Sequence, residues 1–512
     1  MVNYHNYYSD DIWVDGPRER VAFPSDGANT KTLIKYLGTE LFPAFDHERH
    51  RIRKLESWGN GKQPEVKPLK RNTERHLLQR LARTPWIPLM VSTFAQQMVV
   101  DGYRREGDME NQEAWKTWEF NDMKSQQLSI NRTTMIAGYS YLRVTRGIRD
   151  ADSGQVIPAD SGGESMAVMR GVSPARCFAL YADPFGDEYP EYVLEKRFDG
   201  SWRWWFNGEG YHVLQFDGSK FKVVETKVHD YGVNPFVRYV NQIDLEGRTW
   251  GDVEPIIDLA ARIDKTAFDR LLVQHFNSFK IRWATGLEQP DTEEEVSMDK
   301  IRLANEDILI ASDVQAKFGT LDETSMQGFI EAYKADLEAF AAVTQLPPNL
   351  LGQIVNVAAD ALDGARRQTY QRLFEKQTIM GRSHAQALRL AAHIEGREED
   401  ANDFSARVHW QDVEVRSLSQ FADAWGKIVD QLGVPKWAAW NRIPGVDQSE
   451  VLEWKQHWDD TDPLNLYLRD LNVKPAAAQS ENPVGSATDG PGGPNSTRNQ
   501  RPLNNRTGGQ NA

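Results

Sequence analysis

Residues 344–377 read "TQLPPNLLGQIVNVAADALDGARRQTYQRLFEKQ", and they constrain the fold more than any other stretch. Pro347 and Pro348 cannot continue the helix arriving from residue 326, because proline lacks the N–H and its ring clashes with the preceding turn. A new amphipathic helix begins near Ala358 and runs to about Ile394, with Gly381 as its weak point. The joining loop carries Leu350-Leu351 and Ile354-Val355 and no charge, whereas a disposable linker is more polar. Two long helices must therefore meet through a short apolar segment.

The helix entering this loop has a partner upstream. "GDVEPIIDLAARIDKTAFDRLLVQHFNSFK" repeats Ile256, Leu259, Ile263, Phe268, Leu271 and Leu272 at helical intervals. Pro255 suits a first turn, with Asp252 as the expected N-cap. From 253 to 279 such a helix is about 40 Å long. The second runs from Met326 to Gln345, with Met326, Phe329, Ile330, Tyr333, Leu337, Phe340 and Val343 on one side. The insert between them, 280–325, reads as two or three strands plus a short helix with acidic turns. The two helices should pack antiparallel, with the insert at one tip.

Ahead of this pair the period changes twice. Residues 1–65 mix aromatics with charge and read as a loose entry arm. Helical patterning follows from Arg71 to Val100, broken by Pro85 and Pro88 and stopped at Asp101-Gly102. A second helix covers Gln112 to about Met135, with Trp115, Trp118, Phe120, Met123 and Leu128 as core positions. From Gly138 to about 242 short alternating runs with Gly, Asp and Asn turns predict an antiparallel sheet region. Within it Trp202 and Trp204 share one face and Trp205 takes the other; they read as packing residues rather than a stacking platform. Downstream, 417–472 is helical with breaks at Pro435 and Pro444, and the Ala-, Ser-, Gly- and Pro-rich stretch beyond Lys474 reads as disordered. No internal repeat is found. The class is α+β.

Composition excludes several functions. With 512 residues the chain can hold two to four domains. A formal net charge of −14 is no footprint for tight nonspecific DNA binding. The single cysteine, Cys177, excludes an intrachain disulfide and reads as a small buried residue. No run of about 18 apolar residues predicts a membrane span. The opening "MVNYHNYYSDDIWVDG" is no signal peptide, so the expected setting during synthesis is the cytoplasm.

No catalytic motif survives inspection. "GNGKQP" (59–64) lacks the spacing and hydroxyl of a phosphate loop, and "HERH" (47–50) falls one residue short of a zinc-binding helix motif. "GYSYL" (138–142) lacks the second glycine of a nucleophile elbow, and "DADSG" (150–154) misplaces the glycine of a calcium loop. Glu293, Glu294, Glu295, Glu306 and Asp307 sit on acidic turns and read as a solvated face rather than a converging metal site. No catalytic residue, metal ligand or cofactor is expected.

The joint order of elements resembles the portal proteins of tailed bacteriophages, in the branch found in long-tailed phages. "PWIPLMVSTFAQQMVVDGYR" with "AWKTWEFNDMKSQQLSINRTTMIAGYSYLRV" is similar to the family's amino-terminal helices and first strand. "HDYGVNPFVRYVNQ" and "GRTWGDVEPIIDLAARID" resemble the passage into its first stem helix, the opening stretch its segment between second stem helix and wing helix, and "RSLSQFADAWGKIVDQLGVP" its crown. The resemblance covers about residues 70–470.

It implies a portal-type fold: an arm at 1–65, a mixed wing at 66–250, stem helices at 251–279 and 326–346, a clip at 280–325, a tunnel loop at 347–357, a long wing helix at 358–400, a crown at 401–474 and a tail at 475–512. It implies a ring, usually of twelve copies, at one capsid vertex, with double-stranded DNA passing nonspecifically through its channel. The implied partners are terminase, a head–tail connector, the major capsid protein and scaffold, with no membrane. Pro348, Asn349, Leu350, Leu351 and Gly352, continuing through Gln353, Ile354, Val355 and Asn356, would face the channel. The acidic residues at 293–295 and 306–307 would face the motor and connector. An uncharged loop fits that role, since Lys and Arg would hold the phosphates in a salt-dependent way. The alternatives are another head or connector structural protein, or a metal-dependent phage nuclease.

Overall fold

Residues 29–64 are helical and packed, which corrects the expectation of a loose arm over that stretch; 1–23 and 25–28 lie outside the described residues. The computed structural model describes residues 24, 29–64, 73–105, 111–149, 156–158, 166–206, 208–277, 282–285, 317–320, 325–352, 359–411, 418–440, 443, 446 and 448–461. Helix α1 (Thr30–Tyr36) starts at Asn29, whose side chain accepts from the Thr32 N–H at 2.9 Å. It runs through a π-helical turn (Leu37–Leu41) into α2 (Phe42–Gly59). Leu33, Leu37, Leu41 and Phe45 form a continuous apolar stripe and pack against Trp202, Trp204, Leu214 and Phe221. The charges on α2 do not prevent burial, because they pair internally. Arg51 donates to Glu48 at 2.7 Å, to Glu254 at 2.8 Å and to the Ala137 carbonyl at 3.1 Å.

Helices α3 (Thr73–Ala82) and α4 (Trp86–Gln96) are separated at Pro85 as expected, but Pro88 does not break the helix: it sits in the first turn of α4, where no intrahelical N–H bond is required. The expected stop at Asp101-Gly102 is instead a strand, β1 (Val100–Arg104). The expected single helix over 112–135 is two, α5 (Gln112–Phe120) and α6 (Met123–Ala137), parted at Asp122 with φ 49°. Trp115, Trp118 and Met123 are buried, whereas Phe120 and Leu128 are only half-buried. Gly138, at φ 97°, ends α6; a Cβ there would lie 2.9 Å from the Trp250 carbonyl carbon.

The sheet region follows as expected. β2 (Tyr139–Arg149) pairs antiparallel with β3 (Val156–Pro158), β4 (Met166–Val172) and β10 (Phe236–Val240). Strands β5 (Cys177–Leu180), β6 (Tyr192–Lys196), β7 (Trp202–Phe206), β8 (Gly210–Phe216) and β9 (Phe221–Val228) form an antiparallel meander. Trp202 and Trp204 face the α1–α2 stripe, while Trp205 packs on the opposite face with Tyr211 and Phe236. Both faces are covered, which is why this strand tolerates three large aromatics. Cys177 is buried in β5, and burial raises its thiol pKa well above the ordinary value. A short pair, β11 (Gln242–Ile243) and β12 (Thr249–Trp250), leads out of the sheets.

The remaining described elements are α7 (Ile257–Asn277), the paired strands β13 (Arg282–Thr285) and β14 (Lys317–Thr320), α8 (Gln327–Thr344), α9 (Ala359–Glu395), α10 (Glu398–Ala401), β15 (Arg407–Trp410), α11 (Leu418–Leu432) and α12 (Trp437–Trp440). With 37 residues α9 is about 55 Å long. Gly381 does not break it: a Cβ there would come within 3.3 Å of Trp410 and Val408, so glycine lets β15 lie close. β15 pairs antiparallel with β1, a pairing the sequence reading missed. His384 of α9 is enclosed by Trp118, Tyr239 and Trp410, and burial pushes its imidazole down to about 3, so it is neutral. A second compact unit begins at Ser449, and its described part is the helix α13 (Gln448–Thr461) beyond its first residue.

Candidate functional site

Helices α7 and α8 form an antiparallel hairpin tipped by the β13–β14 pair. Three contacts step up one leg and down the other. Arg262 Nε lies 2.8 Å from Asp336 Oδ1, the Thr266 hydroxyl donates to Asp336 Oδ2 at 3.0 Å, and the Arg270 guanidinium sits 5.2 Å from the Tyr333 ring centre. Ile256, Ile257, Ala260 and Ile263 share one core with Leu337, Phe340 and Ala341. The expected α8 face is too wide: Ile330 and Val343 point outward, 40% and 56% exposed. Exposed Glu331 and Glu338 leave α8 acidic, with Lys334 as its lysine.

The base of the hairpin is held by charges that the sequence reading assigned otherwise. Asp252 was expected to cap α7. Instead a 3-10 turn (Glu254–Ile256) opens this leg without a side-chain cap, and Asp252 is buried against α9. Its carboxylate accepts from Arg372 at 3.1 Å and from Asn241 at 3.1 Å, and lies 2.6 Å from Lys376 Nζ. Lys376 also donates to Asn241 Oδ1 at 2.7 Å. Burial alone would raise the Asp252 pKa, but the Lys376 and Arg372 cations hold it below the ordinary carboxylate value. Arg372 and Lys376 are spaced i, i+4 beside the buried Leu373 and Met380, a charged pair on an apolar face that could have signalled this network.

The same Arg372 reaches the other leg. α8 ends with Gln345 at φ 56°, a left-handed cap in which the Leu346 N–H donates back to Ala341 O at 3.1 Å. Arg372 donates to Thr344 O at 2.6 Å, and the Thr369 hydroxyl donates to Gln345 O at 2.7 Å. The carbonyls left open at this helix end are thus filled by α9.

The segment beyond is half anchored. A 3-10 turn (Pro348–Leu351) ends at Gly352, φ 77°. Leu346 and Leu351 are buried in the hairpin core, whereas Asn349 and Leu350 face outward. The segment is thus held to the hairpin as far as Leu351. Gln353, Ile354, Val355 and Asn356 lie outside the described residues, as do Glu293, Glu294, Glu295, Glu306 and Asp307 and the tail after 474.

A second buried carboxylate, Asp264 of α7, faces the amino-terminal helices. It accepts from the Thr84 N–H and from Gln63 Nε2, each at 3.1 Å, and burial pushes its pKa up to about 6. Among the described residues no group of His, Cys, Asp and Glu could hold a metal ion, and no helix is long and apolar enough to cross a membrane.

The family model described as phage portal protein, SPP1 Gp6-like, matches residues 40–463. The chain belongs to the phage portal family. At the level of the family, this portal chain is a structural virion protein and not an enzyme. Two solved structures are similar to it. "Neck of empty GTA particle computed with C6 symmetry" shares 12% identity at a TM-score of 0.40, covering 73% of this chain and 92% of that one. "Neck of native GTA particle computed with C12 symmetry" shares 12% identity at 0.38, covering 76% and 94%. No curated relative matches the portal chain.

Proposed function

We propose that the chain is the ring-forming subunit of a portal at one capsid vertex, usually of twelve copies, through which double-stranded DNA is packaged and ejected. In this reading the α7–α8 hairpin is the stem, residues 280–325 the clip that meets terminase and the head–tail connector, and 347–357 the loop bordering the channel. The wing and crown meet the capsid protein and scaffold. The observation that carries the reading is the hairpin itself: two long antiparallel legs, a strand pair at the tip, and both bases fastened to one long helix. Ile330, Val343 and Leu350 remain outward on it, apolar groups that a lateral neighbour in a closed heterologous ring would cover. The acidic surface of α8 suits a wall that lets a polyanion pass without holding it.

Negative-stain images and mass photometry of the purified chain test this. The expected particle is a closed ring with an axial hole. A chain that stays monomeric at micromolar concentration, even with scaffold and capsid protein supplied, overturns it. So does metal-dependent DNA cleavage that vanishes in a single carboxylate variant.

A further inference from the structure

One face of the β5–β9 sheet concentrates guanidinium groups that the channel reading leaves unused. Register places Cys177, Glu195 and Arg203 in one row across β5, β6 and β7, and such neighbours lie about 5 Å apart. Glu195 is the buried acid of the row. Its Oε1 accepts from Arg143 of β2 and from Arg197 at 3.4 Å, and its Oε2 from the Trp205 indole N–H at 3.4 Å. Arg170 stands opposite Arg143 across the β2–β4 pair. Arg176, beside them, donates to the Lys196 carbonyl and lies over Phe198.

The charges here do not balance. Among the described residues Glu195 is shared by Arg143 and Arg197, exposed Asp199 is already bonded to Ser201, and Glu225, which continues the row from Arg203 through Val213, lies 4.0 Å from Lys227. Arg203 rests 4.7 Å from the Tyr211 ring centre and Arg170 donates to Met169 O; among the described residues neither has a carboxylate partner. Arg143 Nε has no hydrogen-bond acceptor, as is true of several other arginine Nε atoms in the fold, so the charge surplus rather than this atom marks the site. In a chain of net charge −14 this local cationic surplus is not background.

The geometry points to a binding site for a tetrahedral oxyanion of the phosphate type. Arg143 and Arg203 hold it, and Arg170 and Arg197 close its rim. Planar guanidinium forks match such an oxyanion bidentately, and a dianion offsets most of the surplus that Glu195 leaves. Inorganic phosphate and a nucleic-acid phosphodiester share this chemistry. The Arg143 side chain is only 11% exposed, and that depth favours the free ion. This site is independent of the channel reading.

Titration calorimetry on the full chain tests it, with sodium phosphate injected into chloride buffer of equal ionic strength and duplex DNA as a second arm. Wild-type protein is expected to bind phosphate, and Arg203→Gln to weaken binding about tenfold, the effect of one charge-assisted contact. Should circular dichroism show that Arg203→Gln does not fold, Arg170→Gln at its exposed position decides. The inference is overturned if wild type takes up no phosphate, if the deciding variant binds unchanged, or if only duplex DNA binds.

Discussion

Arg372 of α9 donates to Asp252 at the foot of α7 while another of its nitrogens reaches Thr344 O at the end of α8, so one guanidinium fastens both legs of the hairpin. Replacing it with leucine keeps much of the side-chain volume but leaves Asp252 with Lys376 as its one cation, beside the Asn241 amide, and the Thr344 carbonyl open. Removing one partner from a buried ionic network costs about 3 kcal/mol. Arg372→Leu should lose that much in denaturant unfolding, and amides at 341–346 should exchange faster. Arg372→Lys should recover part of the loss, because an ammonium cannot span both acceptors. A leucine variant as stable as wild type would remove the fastening role.

Asp264 gives the hairpin a pH dependence of definite sign. Its folded pKa of about 6 stands above the unfolded value near 3.9. Stability from this group is therefore full below about pH 4 and is lost as pH rises through about 6. Asp264→Asn keeps an acceptor for the Thr84 N–H, and its new amide nitrogen is satisfied once the Gln63 amide, whose Nε2 now faces Asp264, turns over to present Oε1. The variant should gain on the order of 2 kcal/mol over wild type at pH 7 and nearly nothing at pH 4. A difference that does not change with pH would mean the carboxyl does not titrate there.

Gln353 and Asn356 test the channel assignment. Lysine at both would set two cations per subunit beside passing phosphates, multiplied around the ring. DNA retention should become stronger and steeply salt-dependent, with normal procapsids that package slowly or stall. Packaging by the double variant at wild-type rate across a range of salt would take 347–357 off the DNA path.

Local pattern made much of the fold legible. The period change at Gly138, the hairpin legs and the helix after Pro347-Pro348 were all readable, because their apolar spacing is regular. The α1–α2 stripe at Leu33, Leu37, Leu41, Phe45 and Ile52 was equally regular, but Glu48 and Arg51 on the buried side disguised it as surface. Asp252 looked like a cap because the cations it pairs with, Arg372 and Lys376, lie more than a hundred residues away. β1 was missed for the same reason: a strand of five residues has little signal of its own, and its partner is the four-residue β15.

That last pairing also sets a schedule for synthesis. Val100–Arg104 leaves the ribosome roughly 300 residues ahead of Arg407–Trp410, which at about 5–20 residues per second is a wait on the order of 15–60 s. Throughout it the edge of β1 that β15 will pair stays without its partner strand. Slowing translation downstream of β1 should lengthen that interval, and with it the time during which one nascent chain can wrongly pair with another on the same message.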